Sequence, residues 1–277
     1  MIAVSGGLDD ATLMSLRDSV REWRENSLLA HVLPFVVFMV FVEVPKFFKV
    51  ENEELPWYTF APEQWVYPVQ TVVVGLLLIF FRRHYQFAPL RGLVLATLLA
   101  LIGIVVWILP SIFYHRMGVA DWPVHRITVP MIIDDEPAWE LLGLGERLEG
   151  FDPSFFREQV AWYWAAVVMR FVRMVVVVAL VEEIFWRGFL QRYLIDSRKP
   201  FTEIAFGSHS LKAYLVTTLA FTIVHSHIDW LACVVFGSLV YWLSVRTRSL
   251  FACVFMHGVA NLLLGLYTLH TEQWGFW

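Results

Sequence analysis

A chain of 277 residues that is 58% hydrophobic and 17% charged is too apolar for an ordinary soluble domain, which is nearer half apolar and a quarter charged. Its mean hydropathy is +0.60 and its apolar residues come in long runs, so the composition describes a polytopic membrane protein. The net charge of −4 gives no basis for binding nucleic acid. Two cysteines without CxxC spacing argue against a disulfide framework or a thiolate metal site, and Cys233 and Cys253, both in apolar runs, read as small buried hydrophobes.

The N-terminus lacks the basic and apolar stretches of a secretory signal. A cap at Asp9 or Asp10 and a charged, mildly amphipathic helix are expected there, solvated or on the membrane surface, with residues 1–28 as a unit. Seven candidate spans follow, at 29–48, 66–82, 89–109, 160–190, 211–228, 229–245 and 249–269. Each approaches the ~20 residues that a tilted helix needs to cross a bilayer. The second, fifth and sixth are short. The fourth is long enough to start as an interfacial helix or to project beyond the bilayer at its far end.

The segment 110–158 is too long for a bare loop, and its PAWELLGLGERL stretch has the spacing of an interfacial helix. Basic residues cluster in alternate connections: Arg17, Arg21 and Arg24; Arg82, Arg83 and Arg91; Arg187 to Lys212; Arg246 and Arg248. That pattern places the N-terminus inside and the C-terminus outside. The expected fold is all-α, a transmembrane bundle of about seven or eight helices. Residues 29–158 form an accessory part and 159–277 a core.

Ionisable groups within spans are rare and mark functional sites. The fourth span carries Arg170, Arg173, Glu182, Glu183 and Arg187. At about 100° per residue, Glu183 and Arg187 stack as an i,i+4 pair, whereas Glu182 points about 100° away and has no partner at that spacing. One carboxylate is thereby neutralised and the other is free to face a cavity as a general base. Arg173 falls about 180° from Glu182, away from such a cavity, and is expected to pair with a carboxylate on another helix. Phe221 and His225 share a face of the fifth span, while His227 turns to the other side, near the outer end with Asp229 and Trp230. In the seventh span His257 and Asn261 share a face. Their N–H groups suit either an oxyanion hole or a polar clasp between helices.

Base, second histidine and two donors together fit amide hydrolysis. HExxH, GxSxG, GxSG and GxGD motifs are all missing from the sequence. A zinc site from Glu182 or Glu183 with His225 and His257 is conceivable, but HxxxN replaces HxxxH, which favours metal-free chemistry with no cofactor. His225 lies about fourteen residues past Lys212, deeper than Glu182, unless the fifth span starts outside the bilayer.

The ordered motifs EExxxR (Glu182, Glu183, Arg187), FxxxH (Phe221, His225) and HxxxN (His257, Asn261), with VRTRSLFACVFMHGVANLL around the third, resemble the CPBP family over about residues 160–270. That family contains the type II CAAX prenyl endopeptidases and the bacterial Abi proteins. The resemblance implies a conical intramembrane cavity. It implies that Glu182 activates water with help from His225, that His257 and Asn261 hold the oxyanion, and that Glu183, Arg187 and Phe221 support the site. The long outer segment and tryptophan content resemble the bacterial CAAX protease-related branch. This implies an inner-membrane protein with a membrane-associated protein or peptide substrate and surrounding lipid as partners. Two alternatives stand beside the protease: a non-catalytic immunity or scaffold protein that keeps the motif residues for packing, and more remotely a transporter.

Overall fold

The computed structural model describes residues 10–52, 54–129, 133–147 and 150–277. Eight helices of more than one turn dominate them: α1 (Asp10–Glu25), α2 (Ser27–Phe48), α3 (Glu63–Phe80), α4 (Leu93–Met117), α5 (Val160–Ile195), α6 (Leu211–Ile223), α7 (Trp230–Thr247) and α8 (Leu250–Thr271). Long apolar runs of about 20 residues favour helices here, because an α-helix satisfies the polar groups of a lipid-facing backbone within its own segment. Six of them, α2 to α5, α7 and α8, are long and apolar enough to cross a membrane. Residue Asp9, one of the two expected caps, lies outside the described residues.

The expected fifth span is corrected. Segment 211–228 yields only the 13-residue α6, about 20 Å long against a hydrocarbon core of about 30 Å. Ser210 caps its start by accepting from Ala213 N, and the chain turns at Val224 to Ser226 before α7. The expected interfacial helix at PAWELLGLGERL is also corrected. A two-stranded antiparallel hairpin, β1 (Arg126–Val129) and β2 (Ile133–Pro137), leads into a single 3-10 turn at Ala138–Leu142. Gly143, at φ 78°, stops that turn, and Gly145 lies against Ile228. The two glycines leave too short a run for a helix.

Caps and orphan carbonyls fix the helix ends and kinks. Asn26 accepts from Leu28 N and Leu29 N at the start of α2, and Ser249 from Ala252 N at the start of α8. Pro34 has no N–H for the Ala30 carbonyl four residues back, and the Tyr85 hydroxyl donates to that oxygen at 2.8 Å. Burial pushes the Tyr85 phenol up, which keeps the donor protonated.

Helix α5 is 36 residues long and not uniformly α. Wide π turns at Val172–Val178 and Ile184–Leu190 flank an α-helical piece, Ala179–Glu183. It sits among α2, α3, α6 and α8. The shared core joins Phe35 and Phe38, Val74 and Leu78, Leu99 and Ala100, Val177 and Val181, Phe221, Phe236 and Met256. Apolar residues on the other face of α4, such as Val94, Leu98 and Val105, are exposed to the surrounding lipid.

Two glycines set the helix spacing around the polar centre. A Cβ at Gly103 would lie 2.8 Å from the Phe236 ring, and one at Gly258 would lie 2.9 Å from the Val175 carbonyl oxygen. The second contact is with backbone and has no side-chain rotation to relieve it. Gly258→Ala should therefore separate α8 from α5 and destabilise the fold by about 1–3 kcal/mol, seen as a lower thermal midpoint in detergent. An unchanged midpoint would show that α8 shifts freely.

Candidate active site

The α-helical piece of α5 keeps the ordinary 100° step between Glu182 and Glu183, and the two carboxylates point to different surroundings. Glu183 is fully buried. Its Oε1 accepts from Arg187 Nη1 at 3.1 Å and lies 2.9 Å from His257 Nδ1. Arg187 is 1% exposed; its Nη2 donates to the Gly237 carbonyl at 3.3 Å, and its guanidinium lies 5.4 Å from the Phe221 ring centre. Glu183 and Arg187 are thus a buried pair that ties α5 to α7 and, through His257, to α8.

Glu182 is 7% exposed, has no hydrogen-bond partner among the described residues, and lines a cavity of about 100 Å³. His225, His257, Asn261 and Phe221 line the same cavity. The space is large enough for several waters.

His225 sits in the turn just after α6, not within a span. Its Nδ1 is 2.7 Å from the Phe221 carbonyl. A carbonyl only accepts, so Nδ1 carries a proton, and in the neutral imidazole Nε2 is then the nitrogen with the lone pair. The ring stacks at 4.5 Å on Phe221 and meets Trp107 edge-on at 6.3 Å. The depth difference noted from the sequence disappears along the helices. Glu182 lies 13 residues before the end of α5 and His225 lies 14 beyond the start of α6, about 20 Å each from the connection that joins the two.

His257 and Asn261 share a face as their spacing predicts, yet each is anchored. His257 Nδ1 is engaged with Glu183, and Asn261 Nδ2 donates to the Met174 carbonyl at 2.7 Å, within the first π turn. The cavity wall also takes residues that the sequence did not single out: Gly103, Ile104 and Trp107 of α4, Val178 of α5 and Phe236 of α7. Phe236 meets His257 edge-on at 5.3 Å and Trp107 at 6.0 Å. Nothing in an apolar run marks these wall residues in advance, since only packing decides which of its residues face inward.

Other expected partners differ. Arg173 is not among the residues that line Glu182's cavity, and its hydrogen-bond partner is a neutral amide: Nε donates to Gln70 Oε1 at 2.6 Å, not to a carboxylate. His227 lies outside the cavity, with Nε2 2.9 Å from Glu140 Oε2. Among the described residues, the group that gathers three metal-type donor atoms within 4.8 Å is Glu136, Glu140 and His227. The zinc set considered from the sequence, Glu182 or Glu183 with His225 and His257, is not gathered in this way.

Fold and cavity together define an integral membrane protein with an acid–imidazole site buried between its helices. Residues 164–263 match the family described as type II CAAX prenyl endopeptidase Rce1-like, and all three motifs lie within that stretch. The resemblance carried by the motifs is thus matched by a family model over that segment. No curated protein and no solved structure matches the chain.

Proposed function

We propose that this chain is an intramembrane endopeptidase that hydrolyses a peptide bond of a membrane-associated protein or peptide with water activated by Glu182. One observation carries this function: an unpartnered carboxylate, two imidazoles and an amide, from α5, the turn after α6, and α8, border one small cavity. In the proposed reaction the Glu182 carboxylate takes a proton from water as the oxygen adds to the scissile carbonyl carbon. The lone pair on His225 Nε2 accepts from the water's other hydrogen and orients it. The carbonyl electrons move onto oxygen, where Asn261, which has a second amide N–H, and His257 donate. The C–N bond then breaks as the proton held by Glu182 passes to the leaving amine.

His257 can donate from Nε2 only with protons on both nitrogens, because its Nδ1–H is engaged with Glu183. We place the chain in a bacterial inner membrane, as the motif resemblance implies, with its N-terminus in the cytoplasm on the side of the basic connections before α2, between α3 and α4, and between α5 and α6.

The test is cleavage of membrane-anchored reporter peptides by the purified chain in liposomes. Cleavage should persist in excess chelator, since no bound ion is required. Cleavage abolished by chelator and restored by zinc would replace the metal-free mechanism. A wild-type chain inert on every reporter, in cells whose phenotype survives Glu182→Gln, would favour the scaffold alternative.

A further inference from the structure

The structure holds two buried cations for which the peptidase chemistry has no use. Arg170 and Arg173, one turn apart on α5, are each 7% exposed, and among the described residues no carboxylate lies within 4.0 Å of either guanidinium. Arg173 is partly served: Gln70 Oε1 accepts from its Nε, and its guanidinium lies 4.2 Å from the Tyr67 ring centre. Gln70 is itself held in place, since its Nε2 donates to the Phe38 carbonyl at 2.7 Å. Arg170 is not served. Its guanidinium lies 5.5 Å from Tyr67 and 5.4 Å from Phe151, and its Nε and Nη1 are buried with no acceptor. Ring faces attract a cation, but they accept no N–H in the plane of the guanidinium and carry no net charge.

Both arginines border a second, small cavity of about 10 Å³ between α3 and α5, which Phe151 also lines. The Glu182 carboxylate attracts Arg173 at longer range, but no carboxylate acts on Arg170, and a cation buried on a lipid-embedded helix is not stable without a counter-charge. The cavity has room for about one water-sized body. A phosphate, a carboxylate or a lipid headgroup does not fit it.

We infer that the Arg170–Arg173 cavity is a binding site for a single monoatomic anion of the halide class, held by the free N–H groups of Arg170 and locking α3 to α5. The ion is structural, and its cavity shares no lining residue with that of Glu182.

The probe is chloride itself. The full chain, purified in detergent and exchanged into gluconate at constant ionic strength, should bind radioactive chloride saturably at one site per chain. Bromide should displace it and sulfate should not. The thermal midpoint should rise by a few degrees as chloride is added and then saturate. Arg170→Gln should lose both effects. If that variant does not fold, anomalous scattering from bromide in crystals of the wild-type chain makes the assignment: a peak between Arg170 and Arg173 supports the site. The inference is overturned by absence of saturable chloride binding, by binding that survives in folded Arg170→Gln, or by a bromide-soaked crystal with no peak in the cavity.

Discussion

Glu182→Gln should leave the chain folded and lower its hydrolytic rate by about 10²- to 10⁴-fold, the usual contribution of a positioned general base. The two halves of that expectation come from the same observation. Glu182 is almost wholly buried and has no hydrogen-bond partner among the described residues, so the isosteric amide removes an unpaired carboxylate and breaks no direct ion pair. Stability should hold or rise slightly, as it does when a strained functional group is neutralised. Paired measurements decide it: single-turnover cleavage of a membrane-anchored reporter, and the thermal midpoint of the same preparation. Lost cleavage with an equal or higher midpoint fits Glu182 as the base. Undiminished cleavage would remove Glu182 from that role, and a fall in both would make it a packing residue.

The different fates of Glu182 and Glu183 were legible in the sequence for a local reason. Residues 179–183 keep α-helical geometry, so a wheel drawn from spacing points the two acids correctly. The joint presence of His257 and Asn261 at one cavity was legible in the same way, through their i,i+4 spacing on α8. Their individual anchors were not. Which nitrogen Glu183 engages, and that Met174 offers a carbonyl, depend on how α8 sits against the wide turns of α5. His225 was placed inside a span because apolar composition continues past Ile223, whereas the helix stops there and the histidine holds the Phe221 carbonyl from the turn beyond. For 137–147 the residue spacing is helical, but two glycines and the contact with Ile228 outweigh it. Arg173 found an amide in place of a carboxylate because α3 offers Gln70 at that level, a fact about helix register that no single segment encodes.

Arg187→Met should be among the most destabilising single substitutions in the chain, costing about 3–5 kcal/mol, because it strands Glu183 at zero exposure with only His257 as a partner. Glu183→Gln should cost a similar amount for the mirror reason: Arg187 keeps the Gly237 carbonyl and the Phe221 ring but loses its counter-charge. The double variant Glu183→Gln/Arg187→Met buries no ion in this position and should recover much of the loss, since buried pairs replaced whole by neutral groups are often close to neutral in stability. A double-mutant cycle on thermal or denaturant unfolding measures this directly. Activity should follow a different order. A glutamine at 183 still accepts from His257 Nδ1, so the imidazole keeps its orientation and folded Glu183→Gln should lose far less rate than Glu182→Gln. Strictly additive destabilisation would show that the two side chains act independently. A rate loss in Glu183→Gln equal to that of Glu182→Gln would move the acid chemistry from the unpaired carboxylate to the paired one.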